Sequence, residues 1–211
     1  MAFVNYASRE IQLKIVYYGP GLCGKTTNLE VIHKMICPDS KGDLTSLATT
    51  QDRTLFFDFM PLVAHAIRGF KTRFQMYTVP GQVMYNMTRR LVLRGADGIV
   101  FVADSQWDKM PENVESFKNL EENLDLQGDS IDSIPYVLQY NKRDLDNVAP
   151  VRYLDFLLNN RDVQHPSFSS VASEGTGVFE TLNMISRLVL HRFVEERTGK
   201  KVKQEQDLVL A

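Results

Sequence analysis

One octapeptide constrains this chain more than any other feature. Gly19-Pro20-Gly21-Leu22-Cys23-Gly24-Lys25-Thr26 satisfies G-x-x-x-x-G-K-[ST] and follows the apolar run Ile15-Val16-Tyr17-Tyr18. A strand that stops at such a loop and restarts as a helix turns consecutive backbone N–H groups and a helix N-terminus toward one point, which suits a phosphate group. The glycines permit the tight wrap, and Lys25 brings a positive point charge to the outer phosphates. The Thr26 hydroxyl is an oxygen donor suited to magnesium. Gly19, Gly21, Leu22, Cys23, Gly24, Lys25, Thr26 and the adjoining Thr27 are therefore expected to line a nucleotide site. A glycine turn without a ligand is the bland alternative, and the strand before it and helix after it weigh against that.

Elsewhere in the chain, apolar runs of strand length alternate with segments of helical period, as in βαβ units around a mostly parallel sheet. Strands are expected near Gln12–Tyr18, Leu55–Met60, Phe70–Thr78, Gly98–Ala103, Pro135–Asn141 and Phe168–Val171. Helices are expected near Lys25–Ile36, Met84–Leu93, Glu112–Leu126, Val151–Leu158 and Phe179–Glu196. The short connector His65–Gly69 suggests an antiparallel hairpin at one sheet edge. The fold class is α/β, a P-loop NTPase with a six-stranded, mostly parallel sheet flanked by helices. Residues 1–196 form the expected domain, and 197–211, polar at first and without an apolar face, a mobile tail.

Composition narrows the function classes. A chain of 211 residues with 44% apolar and 24% charged residues matches a single globular domain. The net charge of −2 offers no basic surplus for nucleic acid. Two cysteines, Cys23 and Cys37, make no disulfide framework, so a cytoplasmic location is expected. No run approaches the roughly 18 apolar residues of a membrane span. Residue 2 is not the glycine of a myristoylation signal, and Leu208–Ala211 lacks a prenylation cysteine, so no direct lipid anchor is expected.

Asn141-Lys142-Arg143-Asp144 follows the apolar strand Pro135–Tyr140 and resembles the N-K-x-D guanine motif of Ras-like GTPases. A carboxylate at Asp144 can accept two hydrogen bonds from guanine N1 and N2, a donor pair adenine lacks, and the Lys142 stem would cover the base plane. Val171-Ala172-Ser173 is similar to the family's S-A-K motif with valine in place of serine, which implies an Ala172 N–H to guanine O6. A plain strand-to-helix turn is the equal alternative there. The resemblance implies GTP or GDP with magnesium, and it makes Lys41–Arg53 switch I, with Thr54 a magnesium ligand beside Thr26. A strand threonine with no ligand role is the alternative for Thr54.

Thr78-Val79-Pro80-Gly81-Gln82 stands where Ras-like proteins carry D-x-x-G-Q, with Thr78 in place of the aspartate. With Asp52-Arg53-Thr54-Leu55-Phe56-Phe57-Asp58-Phe59 and Gly69–Phe74, this segment closely resembles the MglA-type branch of bacterial small GTPases, which control cell polarity and gliding. The likeness runs from about Phe3 to Val194. It implies a catalytic set of Gln82, Arg53 and Thr54: Gln82 orients the attacking water, Gly81 N–H meets the γ-phosphate, and Arg53 is an arginine finger in cis. A solvent-exposed surface charge is the alternative for Arg53. Thr78 lies at the nucleotide and leaves a gap in magnesium support, which Asp58 or Thr78 itself would fill; a solvated edge position is the alternative for Asp58.

The branch further implies an MglB-type GTPase-activating protein, polarity and motility effectors, a monomeric chain and recruitment to a cell pole. A non-hydrolysing, nucleotide-bound scaffold is the main competing reading, and an ATP-using P-loop kinase ranks last because it gives no reason for Asn141–Asp144. Trp107 reads as packing on the helix that follows it, or as a partner contact.

Overall fold

Side chains along the strands alternate between two apolar layers, which fixes a sheet with helices on both faces. The structure is a computed structural model that describes residues 2–36, 40–46, 58–67, 69–82 and 85–199. Among these the strands are β1 (Phe3–Asn5), β2 (Glu10–Tyr18), β3 (Thr45–Ser46), β4 (Asp58–Ile67), β5 (Phe70–Thr78), β6 (Gly98–Asp104), β7 (Tyr136–Asn141) and β8 (Ser167–Ser169). The helices are α1 (Lys25–Met35), α2 (Asn86–Leu93), α3 (Met110–Asp125), α4 (Val151–Leu158) and α5 (Val178–Thr198).

On β2, Leu13, Ile15 and Tyr17 enter one layer with Leu29 and Ile32 of α1 and Ile185 and Val189 of α5. Val16 and Tyr18 enter the other, with Phe117 and Leu120 of α3 and Leu154 of α4. Strand order is β3-β4-β5-β2-β6-β7-β8. β2 pairs in parallel with β5 and β6, and β6-β7-β8 continue in parallel, whereas β4 runs antiparallel to both β3 and β5. The expected edge hairpin is therefore present.

All six expected strands are found, and two short ones join them. β6 begins its pairing with β2 only at Ile15, so Glu10–Gln12 would expose an unpaired edge; β1 covers it, antiparallel. Strand β4 runs through to Ile67, so the connector is shorter than His65–Gly69, with a register shift between Ala64 and Ile67. Leu55–Phe57 of that expected strand, and Met84 of the expected second helix, lie outside the described residues. α5 continues through Thr198 and stops at Gly199, whose φ of 62° ends the helix in a left-handed cap. Arg197 and Thr198 thus belong to the helix rather than to a tail, and residues 200–211 lie outside the described residues. Trp107 packs on Tyr153 of α4, ring centroids 4.9 Å apart.

Close packing of α5 on β6 requires Gly98 at the strand's start, because a side chain there would overlap Val189 and press on Ile185. Gly98→Val is expected to lower the unfolding free energy by about 1–3 kcal/mol through overpacking. Urea unfolding reads this as a lower midpoint at unchanged slope, and an unaltered midpoint would show that α5 is not held this closely.

Candidate nucleotide site

The carboxyl ends of β2, β5, β6 and β7 open on one rim of the sheet, where ligands of open α/β sheets bind. From β2 the chain enters the loop Gly19–Thr26. Gly19 (φ 145°) and Gly24 (φ 103°) adopt backbone that favours glycine, and Leu22 sits at φ 59° with its side chain exposed. A side chain at Gly19 would overlap the Val102 carbonyl of β6. Gly24 caps α1 without any side-chain hydrogen bond, and the first turn carries no acidic residue. The helix therefore presents backbone donors and a positive dipole end, which fit a phosphate. Lys25 is buried, its Nζ donating to the carbonyls of Gly19 (3.1 Å) and Pro20 (2.5 Å), with Cys23 Sγ at 3.6 Å. Thr26 is exposed and Thr27 half-buried on the first turn.

Asn141, the last residue of β7, joins three segments. Its Nδ2 donates to Cys23 O (2.8 Å), while its Oδ1 accepts from Ala172 N (2.9 Å) and Ser170 Oγ (3.1 Å). Any side chain at Gly24 would overlap this carboxamide. The loop after β2, the end of β7 and the 170–172 segment thus meet at one amide. Ala172 N–H is already donated to Asn141, so a base carbonyl must share it or displace that acceptor. Ala172–Glu174 form a single 3-10 turn after buried Val171, and Ser173 is exposed.

Lys142 holds φ 65° and pairs through Nζ with Asp104 Oδ2 at 2.6 Å. Asp104, 1% exposed at the end of β6, also accepts from Gln106 N through Oδ1. Asn113 of α3 secures that strand end, accepting from Asp104 N (3.0 Å) and donating to Asp104 O (2.7 Å). Left-handed backbone at a lysine costs roughly 1–3 kcal/mol, which the ion pair helps to hold. Asp144 is exposed two residues beyond. Asp104, Asn113 and Ser170 are the site residues that sequence reasoning missed. The signal for Asp104 was an acid closing an otherwise apolar strand.

At the end of β5, Thr78 is buried opposite Tyr17 of β2. Gly81 packs on the phosphate loop so closely that a side chain would overlap Gly21. Gln82 is exposed, and its carbonyl accepts from Tyr85 N at 3.2 Å, one residue before α2. A side chain at Gly21 meets nothing within 4 Å. Arg53 and Thr54 lie outside the described residues, and Asp58 is placed only by its backbone, which pairs with Ser46. Among the described residues no three His, Cys, Asp or Glu side chains converge to hold a metal, and no helix is long and apolar enough to cross a membrane.

No protein-family model matches the chain. It is 57% identical over 190 residues, 90% of its length and 96% of the relative's, to the mutual gliding-motility protein MglA of Myxococcus xanthus (strain DK1622). It is also 26% identical over 201 residues to the Ras-related protein Rab-32C of Dictyostelium discoideum, covering 92% of this chain and 82% of that one. The phosphate loop and the guanine motif share one rim through Asn141, and the first likeness spans nearly the whole of both proteins. The chain belongs to the MglA family of Ras-like small GTPases, which bind guanine nucleotide and hydrolyse GTP.

Proposed function

We propose that the chain is a magnesium-dependent GTP switch for gliding motility and cell polarity, the process named for its Myxococcus relative being the guide to the pathway. The observation that supports the reading is the Asn141 carboxamide, which joins the loop after β2 to the end of β7 and to the 170–172 segment. In this reading Asp144 takes guanine N1 and N2, the Lys142 stem lies on the base, and Ala172 and its neighbours Val171 and Ser173 border O6. Lys25 and the loop N–H groups hold the phosphates. Magnesium, when bound, neutralises charge on the outer phosphates. The hydroxyls of Thr26 and Thr54 would be its protein donors, with Thr78 or Asp58 supporting it in place of the aspartate.

Hydrolysis transfers the γ-phosphoryl group from GDP oxygen to water, and positioning with charge neutralisation supplies most of the acceleration. Gln82 orients the water, and Arg53 is the finger that meets developing charge. Gly81 rests against Gly21, leaving no room for a third group between the two backbones. A γ-phosphate contacted by Gly81 N–H therefore requires residues 80–82 to draw back, which ties the position of α2 to the nucleotide. An MglB-type activating protein would complete the catalytic set, and the cytoplasmic, monomeric chain would be recruited to a pole through such partners.

Titration calorimetry with GTP, GDP and ATP tests the base assignment. Asp144→Ala is expected to weaken GTP and GDP alike by about ten- to a hundredfold, the loss of two charge-assisted hydrogen bonds. Unchanged affinity, or a preference for ATP in the parent chain, would overturn it.

The unaided rate is expected near 10⁻⁴ s⁻¹, the order known for Ras-type sites, and to rise with an activating protein. Gly21→Val, Gln82→Leu and Arg53→Ala are expected to bind GTP as the parent does and remain loaded, because each acts on the transition state. Phosphate release from preloaded protein measures this. Parent-like release in Gly21→Val and Gln82→Leu would count against this arrangement, and tight GTP binding by the parent without release under any condition would favour the scaffold reading.

A further inference from the structure

Arg89 of α2 is the largest fully buried side chain among the described residues, and none of the roles above uses it. Its Nη2 donates to Ser116 Oγ of α3 at 2.6 Å, and its guanidinium lies 4.3 Å from the centre of the Tyr18 ring. Three residues earlier, Asn86 opens α2. Its Oδ1 accepts from Asn119 Nδ2 (3.0 Å) and Asn123 Nδ2 (2.8 Å), both on α3. Tyr18 closes the ring: its hydroxyl donates to Asn119 Oδ1 (2.7 Å) and accepts from Asn123 Nδ2 (3.1 Å). Tyr18 is the residue immediately before Gly19. The first turn of α2 is thus tied, through buried polar groups, to the strand end that launches the phosphate loop.

The tie is incomplete. Nε and Nη1 of Arg89 and Oδ1 of Asn123 are buried with no hydrogen-bond partner among the described residues. A half-satisfied buried network is a poor way to stabilise a helix, since apolar side chains would do so at less cost. It is a good way to specify where that helix sits, because each amide and guanidinium bond has a direction.

We propose that Tyr18, Asn86, Arg89, Asn119 and Asn123 form a positioning cluster for GTP hydrolysis, which fixes the start of α2 against the phosphate loop and so sets where Tyr85 and, through it, Gln82 stand. None of the five touches the nucleotide in this scheme; they act through Tyr85 and Gln82. The part concerning Gln82 rests on the water-orienting role proposed above.

The test compares Asn86→Leu, which removes the shared acceptor, with Asn86→Asp, which keeps two acceptor oxygens. Single-turnover hydrolysis of preloaded GTP, GDP affinity and melting temperature are measured for each, alone and combined with Gln82→Leu. Asn86→Leu is expected to slow hydrolysis by about tenfold or more while GDP affinity stays within about twofold, the pattern of a lost transition-state alignment. Asn86→Asp should recover most of the rate, and Asn86→Leu should add nothing in the Gln82→Leu background, since coupled residues are not additive. Tyr18→Phe, which keeps the ring beneath Arg89 and removes only the hydroxyl, gives the same readout if Asn86→Leu folds poorly. A parent-like rate in Asn86→Leu and Tyr18→Phe, or an equal loss of GDP affinity, would overturn the cluster's role. If Gln82→Leu itself hydrolyses at the parent rate, the Gln82 assignment falls on its own, and the Asn86 pair still decides the cluster.

Discussion

The site depends on one carboxamide. Asn141 must donate in one direction and accept in another: Nδ2 to the Cys23 carbonyl, Oδ1 from Ala172 N and Ser170 Oγ. A leucine of similar size could do neither, and an aspartate would face the Cys23 carbonyl with a second acceptor. The geometry propagates outward. Gly24 can carry no side chain because the Asn141 amide occupies that space, and its left-handed φ turns the loop into α1. Lys142 takes the strained backbone that follows, and buried Asp104 receives its ammonium. Removing a buried partner from such a set leaves polar groups unsatisfied, at about 1–3 kcal/mol each.

Both faces of the sheet carry buried polar networks. On the α1/α5 face, Asn28 and Gln139 exchange two amide hydrogen bonds (2.8 and 3.0 Å), and Gln139 also donates to Thr181, which bonds back to Gly177 O at 2.6 Å. That set braces the base-reading end, since Asn28 also binds Gly24 O and Gln139 lies two residues before Asn141. On the α2/α3 face, three polar atoms of the cluster around Arg89 stay unpaired. Burial also lowers the Arg89 pKa, the dominant influence on it, so the charge is held at a cost.

The sequence made the framework legible wherever period and punctuation agreed. β5 and α4 begin and end where the residue pattern places them, and the phosphate loop follows the strand that its motif demands. β1 and β3 were not legible because three and two residues are too few to establish an alternation; they exist because neighbouring strands leave edges open. α5 outran its expected end because Arg197 and Thr198 look polar, yet a helix ends where its cap is, at Gly199. In the site, motif residues were readable and their supports were not. Asp104, Asn113 and Ser170 act through contacts across 9 to 38 residues, and nothing local marks a buried arginine such as Arg89.

Thr78 shows how these features bear on charge. Where a carboxylate is the rule of the wider family, this site has a buried hydroxyl at the end of β5. Asp104, the acid that closes β6 two strands along the rim, is engaged by the Lys142 ammonium at 2.6 Å. Asp144 is exposed at the base-reading end, remote in role from the phosphates. In the binding mode proposed above, a triphosphate would meet the Lys25 ammonium and the positive dipole end of α1. In the roles proposed above, capture of nucleotide falls to the loop and Asn141 and placement of Gln82 to α2 and the residues that dock it, so the two tasks are physically separate.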